Sequence, residues 1–373
     1  MRLKSLILVI MATLFFRVSA YSETESIMPQ QPVQPKKPVV DTSGFKYKHN
    51  AVTMFHYNKG KDEYWIFEPN SPKPDKAPVI VFNHGWSAMS PNSYGAWIDH
   101  VVKRRNIVIF PRYQGGLATP PKNFTRNAIQ AVKNAIFTLQ TKAGHVRPDL
   151  SRLAVVGHSA GGIISANMAA IADKEGIPVP RAVMCVLPGI TWETKSHMNI
   201  PLENLRGISN DTLLLTIAGD KDGVVKDTDA KKIFRESTNV PLHNKNYVLL
   251  KSDEHGVPPL IADHFTASSP ASEYSSLSKK NGKIKVIRYI NKFQKKDSEK
   301  NVKTSRKHRS LQERRTIDAL DYYGLWKLFD GLTDAAFFRR NRDYGLGNTD
   351  KQRFMGTWSD GTPVKEMVVT EIP

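Results

Sequence analysis

A serine becomes a useful nucleophile only where a base can take its proton and a carboxylate can orient that base. The stretch LAVVGHSAGG, Leu153 to Gly162, places Ser159 between Gly157 and Gly161, directly after an apolar run. If the run is a buried strand that turns sharply into a helix, the glycines permit the turn and the hydroxyl stands exposed at the carboxyl edge of a sheet. The following GIISANMAAIADK supplies that helix. Ser159 then lies at the helix N-terminus, where the dipole favours a developing oxyanion.

The partners such a serine requires occur downstream in the right order. After the strand-like LLLTIAG come Asp220 and Asp222, and after NYVLL comes His255. The order is therefore Ser, Asp, His, each following a successive strand, with both aspartates open as the acid. His243 precedes the last of these strands and His264 lies well beyond its end, so both are set aside in favour of His255. Upstream, VIVF leads into His84-Gly85-Trp86. The glycine lets a backbone amide face the site, so the Trp86 and Ala160 N–H groups form a candidate oxyanion hole. His84 reads as a loop-shaping residue. Trp86, Tyr113 and Trp192 each stand just beyond a predicted strand and are candidate substrate-binding residues.

Positioning these groups needs a sheet. Six short apolar runs that do not alternate, at Pro78–Phe82, Asn106–Phe110, Arg152–Val156, Arg181–Val186, Thr212–Ile217 and Asn246–Leu250, predict strands buried on both faces of a parallel sheet. Helical patterns lie between them. RNAIQAVKNAIFTL puts Ile129, Val132, Ile136 and Leu139 on one face, and YGAWIDHVVKRR ends in a basic turn suited to a helix C-terminus. With the hairpin predicted for AVTMFHYN and DEYWIFEP, the class is α/β, with a mostly parallel eight-stranded sheet flanked by helices.

These motifs and their order resemble the α/β-hydrolase superfamily, in particular secreted serine esterases of the dienelactone-hydrolase-like, cutinase and platelet-activating-factor acetylhydrolase-like branches. The resemblance covers about Val52 to Gly256 and, loosely, the final helix. In such families the acid follows a Gly-x-x-Asp-x-x-Val pattern, which here falls on Gly219, Asp222 and Val225, so the resemblance implies Asp222, with Asp220 as the alternative. It implies a serine carboxylic-ester hydrolase that works through an acyl-enzyme and needs no cofactor. A lipase or peptidase of the same fold is the alternative activity. A protein that binds anionic surfaces and carries a vestigial hydrolase body is the alternative of a different class.

The flanks read differently. Arg2 and Lys4, the eleven-residue apolar run Leu6 to Phe16 and the Val18-Ser19-Ala20 end form a signal-peptide pattern over residues 1–20, with cleavage expected after Ala20 and a secreted or periplasmic location. The run is too short for a spanning helix, so no transmembrane span is expected in the mature protein. Residues 21–44 are rich in Pro and Gln and read as a tether outside the fold. The hydrolase core is placed at 45–266, a basic flexible insertion at 267–315, and a C-terminal aromatic helix and tail that complete the fold at 316–373.

Residues 279–315 hold fifteen Lys and Arg against three Asp and Glu, so +12 of the chain's formal +19 is concentrated there. An anionic polysaccharide or membrane lipid is the partner such a segment would take. The single cysteine, Cys185, excludes an intramolecular disulfide and reads as a buried apolar residue. No metal site is expected: DKDGVV, from Asp220, offers Val224 where a calcium loop needs an oxygen ligand.

Overall fold

A parallel strand covered by helices on both sides must be apolar on both faces, and the short runs pair accordingly. The computed structural model describes residues 31–38, 47–189, 199–271, 316–370 and 372–373. The chain divides into two units, residues 1–31 and 32–373, and the sheet lies in the second. Its strands are β1 (Ala51–Tyr57), β2 (Tyr64–Asn70), β3 (Lys76–Asn83), β4 (Ile107–Pro111), β5 (Arg147–His158), β6 (Ala182–Val186), β7 (Leu213–Gly219), β8 (Lys245–Leu250) and β9 (Val368–Thr370). They form a single sheet in the order β1-β2-β4-β3-β5-β6-β7-β8-β9. From β4 to β8 the neighbours are parallel; β1/β2, β2/β4 and β8/β9 are antiparallel.

The sheet therefore has nine strands where eight were expected. The additional β9 is three residues long and pairs Val368–Thr370 with Leu249–Tyr247. Its stability comes from that edge pairing, which leaves little local pattern to read.

Alternation along the strands divides the core. Val79 and Val81 of β3 face helices α2 (Phe124–Thr141) and α3 (Ala160–Ala170), whereas Ile80 and Phe82 face α1 (Gly95–Lys103) and the C-terminal helix. A fourth helix, α4 (Thr228–Glu236), packs Ala230 and Phe234 on Ala218 and Tyr247. The C-terminal helix begins with a π segment, Leu320–Trp326, and continues as α5 (Lys327–Phe338). It is tied to α1 by His100 Nε2 and Arg104 Nε, 2.9 and 3.1 Å from the two carboxylate oxygens of the buried Asp330. Lys327 is buried too: its Nζ donates to the carbonyls of Gln352, at 2.9 Å, and Phe354, around the short helix α6 (Asp350–Arg353).

Two boundaries differ from the compositional reading. Residues 32–34 lie along the folded body, where Val257 N donates to Pro32 O at 2.8 Å and Val33 N to Ser359 Oγ at 2.9 Å. A Pro- and Gln-rich segment can satisfy its carbonyls on a neighbouring surface without burying much of itself. Residues 267–271 also belong to the fold: Ser269 N bonds Ser93 O at 3.0 Å and Ala271 N bonds Asn92 O at 3.1 Å. The signal-like residues 1–20, the rest of the basic insertion, 272–315, and Trp192 lie outside the described residues. Among the described residues, no helix is long and apolar enough to cross a membrane.

Candidate active site

Strand β5 delivers Ser159 through a turn that few residues can make. Ser159 has φ 54° and ψ −121°, a strained conformation for a residue with a side chain, and its N–H is held by Val186 O at 2.9 Å. A Cβ on Gly157 would fall 2.2 Å from Gly161 O, and one on Gly161 would fall 2.1 Å from Asn83 O. Both glycines are thus fixed by close backbone approach, and the turn hands Ser159 directly to α3.

The loop after β7 carries Asp222. Its Oδ1 accepts from the amides of Val224 and Val225 at 2.9 and 3.0 Å, and its Oδ2 lies 2.9 Å from His264 Nδ1. Burial pushes its carboxyl up, but the bond to His264, the His264 charge and the two amides outweigh it, so the group sits below the ordinary aspartate value. A carboxylate accepts only, so Nδ1 of His264 carries the proton. Nε2 is then the basic nitrogen, and it lies 3.0 Å from Ser159 Oγ. Ser159, His264 and Asp222 are each 6 % exposed, which keeps water from competing for these bonds. The arrangement can move the serine proton onto a histidine whose other nitrogen is held by an anion.

The histidine in this chain of bonds is His264, and the expectation of His255 is corrected. His255 Nε2 pairs with Asp360 Oδ2 at 2.8 Å, and its side chain is 38 % exposed. The cause lies in the path of the loop after β8. Asp253 Oδ2 accepts from Trp358 Nε1 at 3.1 Å and from Lys365 N at 2.9 Å, which turns the first half of the loop, with His255, toward the C-terminal tail. The chain then returns: Leu260 exchanges both backbone bonds with Asp253, and Lys221 N donates to Ala262 O at 3.1 Å. That return lays His264 against Asp222. The signal that could have found it is the apolar Leu260-Ile261-Ala262, a run heading back to the core immediately before Asp263-His264. Asp220, the alternative acid, instead accepts from Ser252 N and Oγ at 2.9 and 2.6 Å and braces the turn.

Above the serine, the loop after β3 is held from beneath. Ser87 N donates to Gln114 Oε1 at 2.9 Å, and Gly85 N to Tyr94 OH at 2.8 Å, while the Trp86 amide has no acceptor among the described residues. The Ala160 amide, first of α3, has no intrahelical acceptor by its position. Among the described residues, then, neither N–H group expected to hold an oxyanion has an acceptor. His84 is fully buried and neutral, pushed down to about 3 by burial, and its Nδ1 lies 2.6 Å from Gly85 O.

Tyr113 does not line a substrate surface. It is wholly buried, its ring stacks on His84 at 4.0 Å, and its hydroxyl donates to His84 O at 2.5 Å. The residue supports the loop from below because its strand, β4, ends beneath it. Trp86 is half-buried with its ring edge-on to Phe124 at 5.3 Å. Cys185 is buried in β6 with its thiol pushed up to about 12 by burial. Among the described residues no group of three or more His, Cys, Asp or Glu is placed to hold a metal ion.

Residues 80–217 match a family model described as alpha/beta hydrolase fold. Over 187 residues the chain is 28 % identical to the esterase LipI of Mycobacterium tuberculosis, an alignment covering 48 % of this chain and 54 % of the relative. The chain thus spans about half the length of the curated relative it matches.

Proposed function

Because the chain belongs to the α/β-hydrolase superfamily, we propose that it is a serine hydrolase that cleaves carboxylic esters through an acyl-enzyme. The observation that carries the proposal is the continuous hydrogen-bonded path Ser159–His264–Asp222, at 3.0 and 2.9 Å. Ser159 Oγ attacks the ester carbonyl while His264 Nε2 takes its proton; the imidazolium is held by Asp222 and passes the proton to the leaving alcohol. The Trp86 and Ala160 amides receive the tetrahedral oxyanion, and water, activated by His264, then releases the acid. The match to a protein named as an esterase supports an ester as the bond cleaved. On the charge and apolar pattern of residues 1–20, the enzyme is exported.

A panel of p-nitrophenyl esters of increasing acyl length, run with the native enzyme and with Ser159→Ala, tests this reading. Turnover of at least one ester that the variant abolishes is the expected result. Equal turnover by the two proteins would overturn it.

A further inference from the structure

Histidine at the position before the nucleophile is not needed for the turn, yet His158 is 1 % exposed and uses both ring nitrogens. Its Nε2 lies 2.7 Å from the backbone carbonyl of His264, and its Nδ1 lies 2.9 Å from Tyr94 OH. Tyr94 OH also accepts from Gly85 N at 2.8 Å. The protons in this chain are determined by its ends. The Gly85 amide can only donate, so the phenol oxygen accepts there and turns its own hydrogen to Nδ1. The His264 carbonyl can only accept, so Nε2 of His158 carries the proton. Every donor meets an acceptor with His158 in one neutral tautomer. Tyr94 is fully buried, and burial pushes its phenol up, so it keeps its hydrogen.

The three groups joined in this way belong to different segments: the loop bearing the Trp86 amide, the strand bearing Ser159, and the long loop bearing His264. We propose that Tyr94 and His158 are positioning residues for the reaction, forming a relay Gly85 N–H···Tyr94 O–H···His158 Nε2–H···O=C His264 that sets the oxyanion amide and the base relative to the nucleophile. Space supports the assignment, since a Cβ on Gly85 would lie 3.0 Å from both His158 Nδ1 and Tyr94 OH. The glycine of His84-Gly85-Trp86 therefore also admits the relay. The base loop needs such an anchor because its own route is long: fourteen positions separate His264 from the end of β8 at Leu250.

This inference rests on the proposed serine mechanism, and its test keeps the two apart. Glutamine places an amide where Nε2 of histidine stands and asparagine one where Nδ1 stands, so His158→Gln can still donate to the His264 carbonyl and His158→Asn cannot. The His158 variants and Tyr94→Phe are assayed for kcat and KM per site titrated with a fluorophosphonate, Ser159→Ala for turnover per mole of protein, and all are checked for folding by thermal melting. Displacing a reacting group by about 1 Å costs roughly 100-fold in rate. His158→Asn should accordingly lose about 100-fold in kcat with KM within about twofold, and Tyr94→Phe and His158→Gln, which both break the Tyr94–His158 bond, about tenfold. The relay is overturned if asparagine and glutamine are equally impaired, if His158→Asn matches the native enzyme, or if the losses fall in KM. Should His158→Asn fail to fold, the decision passes to Tyr94→Phe, whose unchanged kcat would equally overturn it. Turnover surviving in Ser159→Ala would instead remove the mechanism beneath the relay.

Discussion

Ser159, His264 and Asp222 differ from their neighbours Asp220 and His255 less in residue type than in what holds them. Asp222 presents one oxygen to two amides and the other to His264, whereas Asp220 spends its Oδ1 on Ser252. Asp222→Asn should therefore lower kcat by about 10³–10⁴, because an amide favours the wrong imidazole tautomer, while Asp220→Asn should stay within about tenfold. Comparable losses would mean that the geometry misassigns the acid. By the same logic His264→Ala should cost several powers of ten and His255→Ala less than about threefold, measured on one activated ester. Asp222 also makes stability depend on pH. Its folded value lies below the unfolded one of ~3.9, so its bonds stabilise the protein above that pH and are lost as pH falls through the lower folded value. Melting temperatures between pH 6 and 3 should fall less steeply for Asp222→Asn than for the native protein. Ser159 and Asp222 were legible as members of the hydrogen-bonded path because each lies within three residues of a strand end. His264 was not, because Asp253, Trp358 and Lys365 determine the direction of its loop from more than 100 residues apart.

At the scale of elements, the turn from β5 into α3 tolerates no added carbon where backbones touch. Gly161→Ala would drive a Cβ to 2.1 Å from Asn83 O, so it should destabilise by about 3 kcal/mol or more and remove activity. Gly223→Ala, one residue after the acid, meets nothing within 4 Å and should change stability by less than about 0.5 kcal/mol. Urea midpoints of the two variants make the comparison, and equal shifts would contradict the packing argument. Elements read from local pattern succeeded where burial acts on both faces, as at Val79–Phe82 of β3, Leu153–Val156 of β5 and Leu214–Ala218 of β7, all of them buried. They failed where pairing alone makes the element. Val368–Thr370 is exposed, buried and half-buried in turn, and becomes a strand only beside β8. The burial of Tyr113 was hidden for a related reason: being just past a strand says that a residue is at the edge, not on which side of the loop it lies.

For the whole molecule, two charged features give opposite tests. Lys327 is held by carbonyls in the interior, and burial pushes it down to about 7. The unfolded chain keeps that proton to ~10.4, so between about pH 7 and 10 the unfolded state binds more protons and stability should rise with pH. Lys327→Met should flatten this slope in urea titrations, and an unchanged slope would exclude the residue as its source. The basic residues 279–315 should bring retention on heparin that weakens steeply with salt. Replacing Lys295–Arg309 by a Gly/Ser linker should abolish retention and spare turnover of a small neutral ester; undiminished retention would place the binding elsewhere. The pinning of the base loop by Trp358 and Lys365 also has a consequence in time. During synthesis, Ser159 and its turn are made 199 residues before Trp358, roughly 10–40 s at ribosomal rates. Through that interval the nascent chain carries its nucleophile without the anchor that seats the base. In a synchronised translation, ester turnover should start only after residue 365 has been added, and ribosome-bound chains halted at residue 350 should be inert to a fluorophosphonate. On the proposed mechanism, the order in which the polypeptide is made thus delays catalysis until the C-terminal tail has been added.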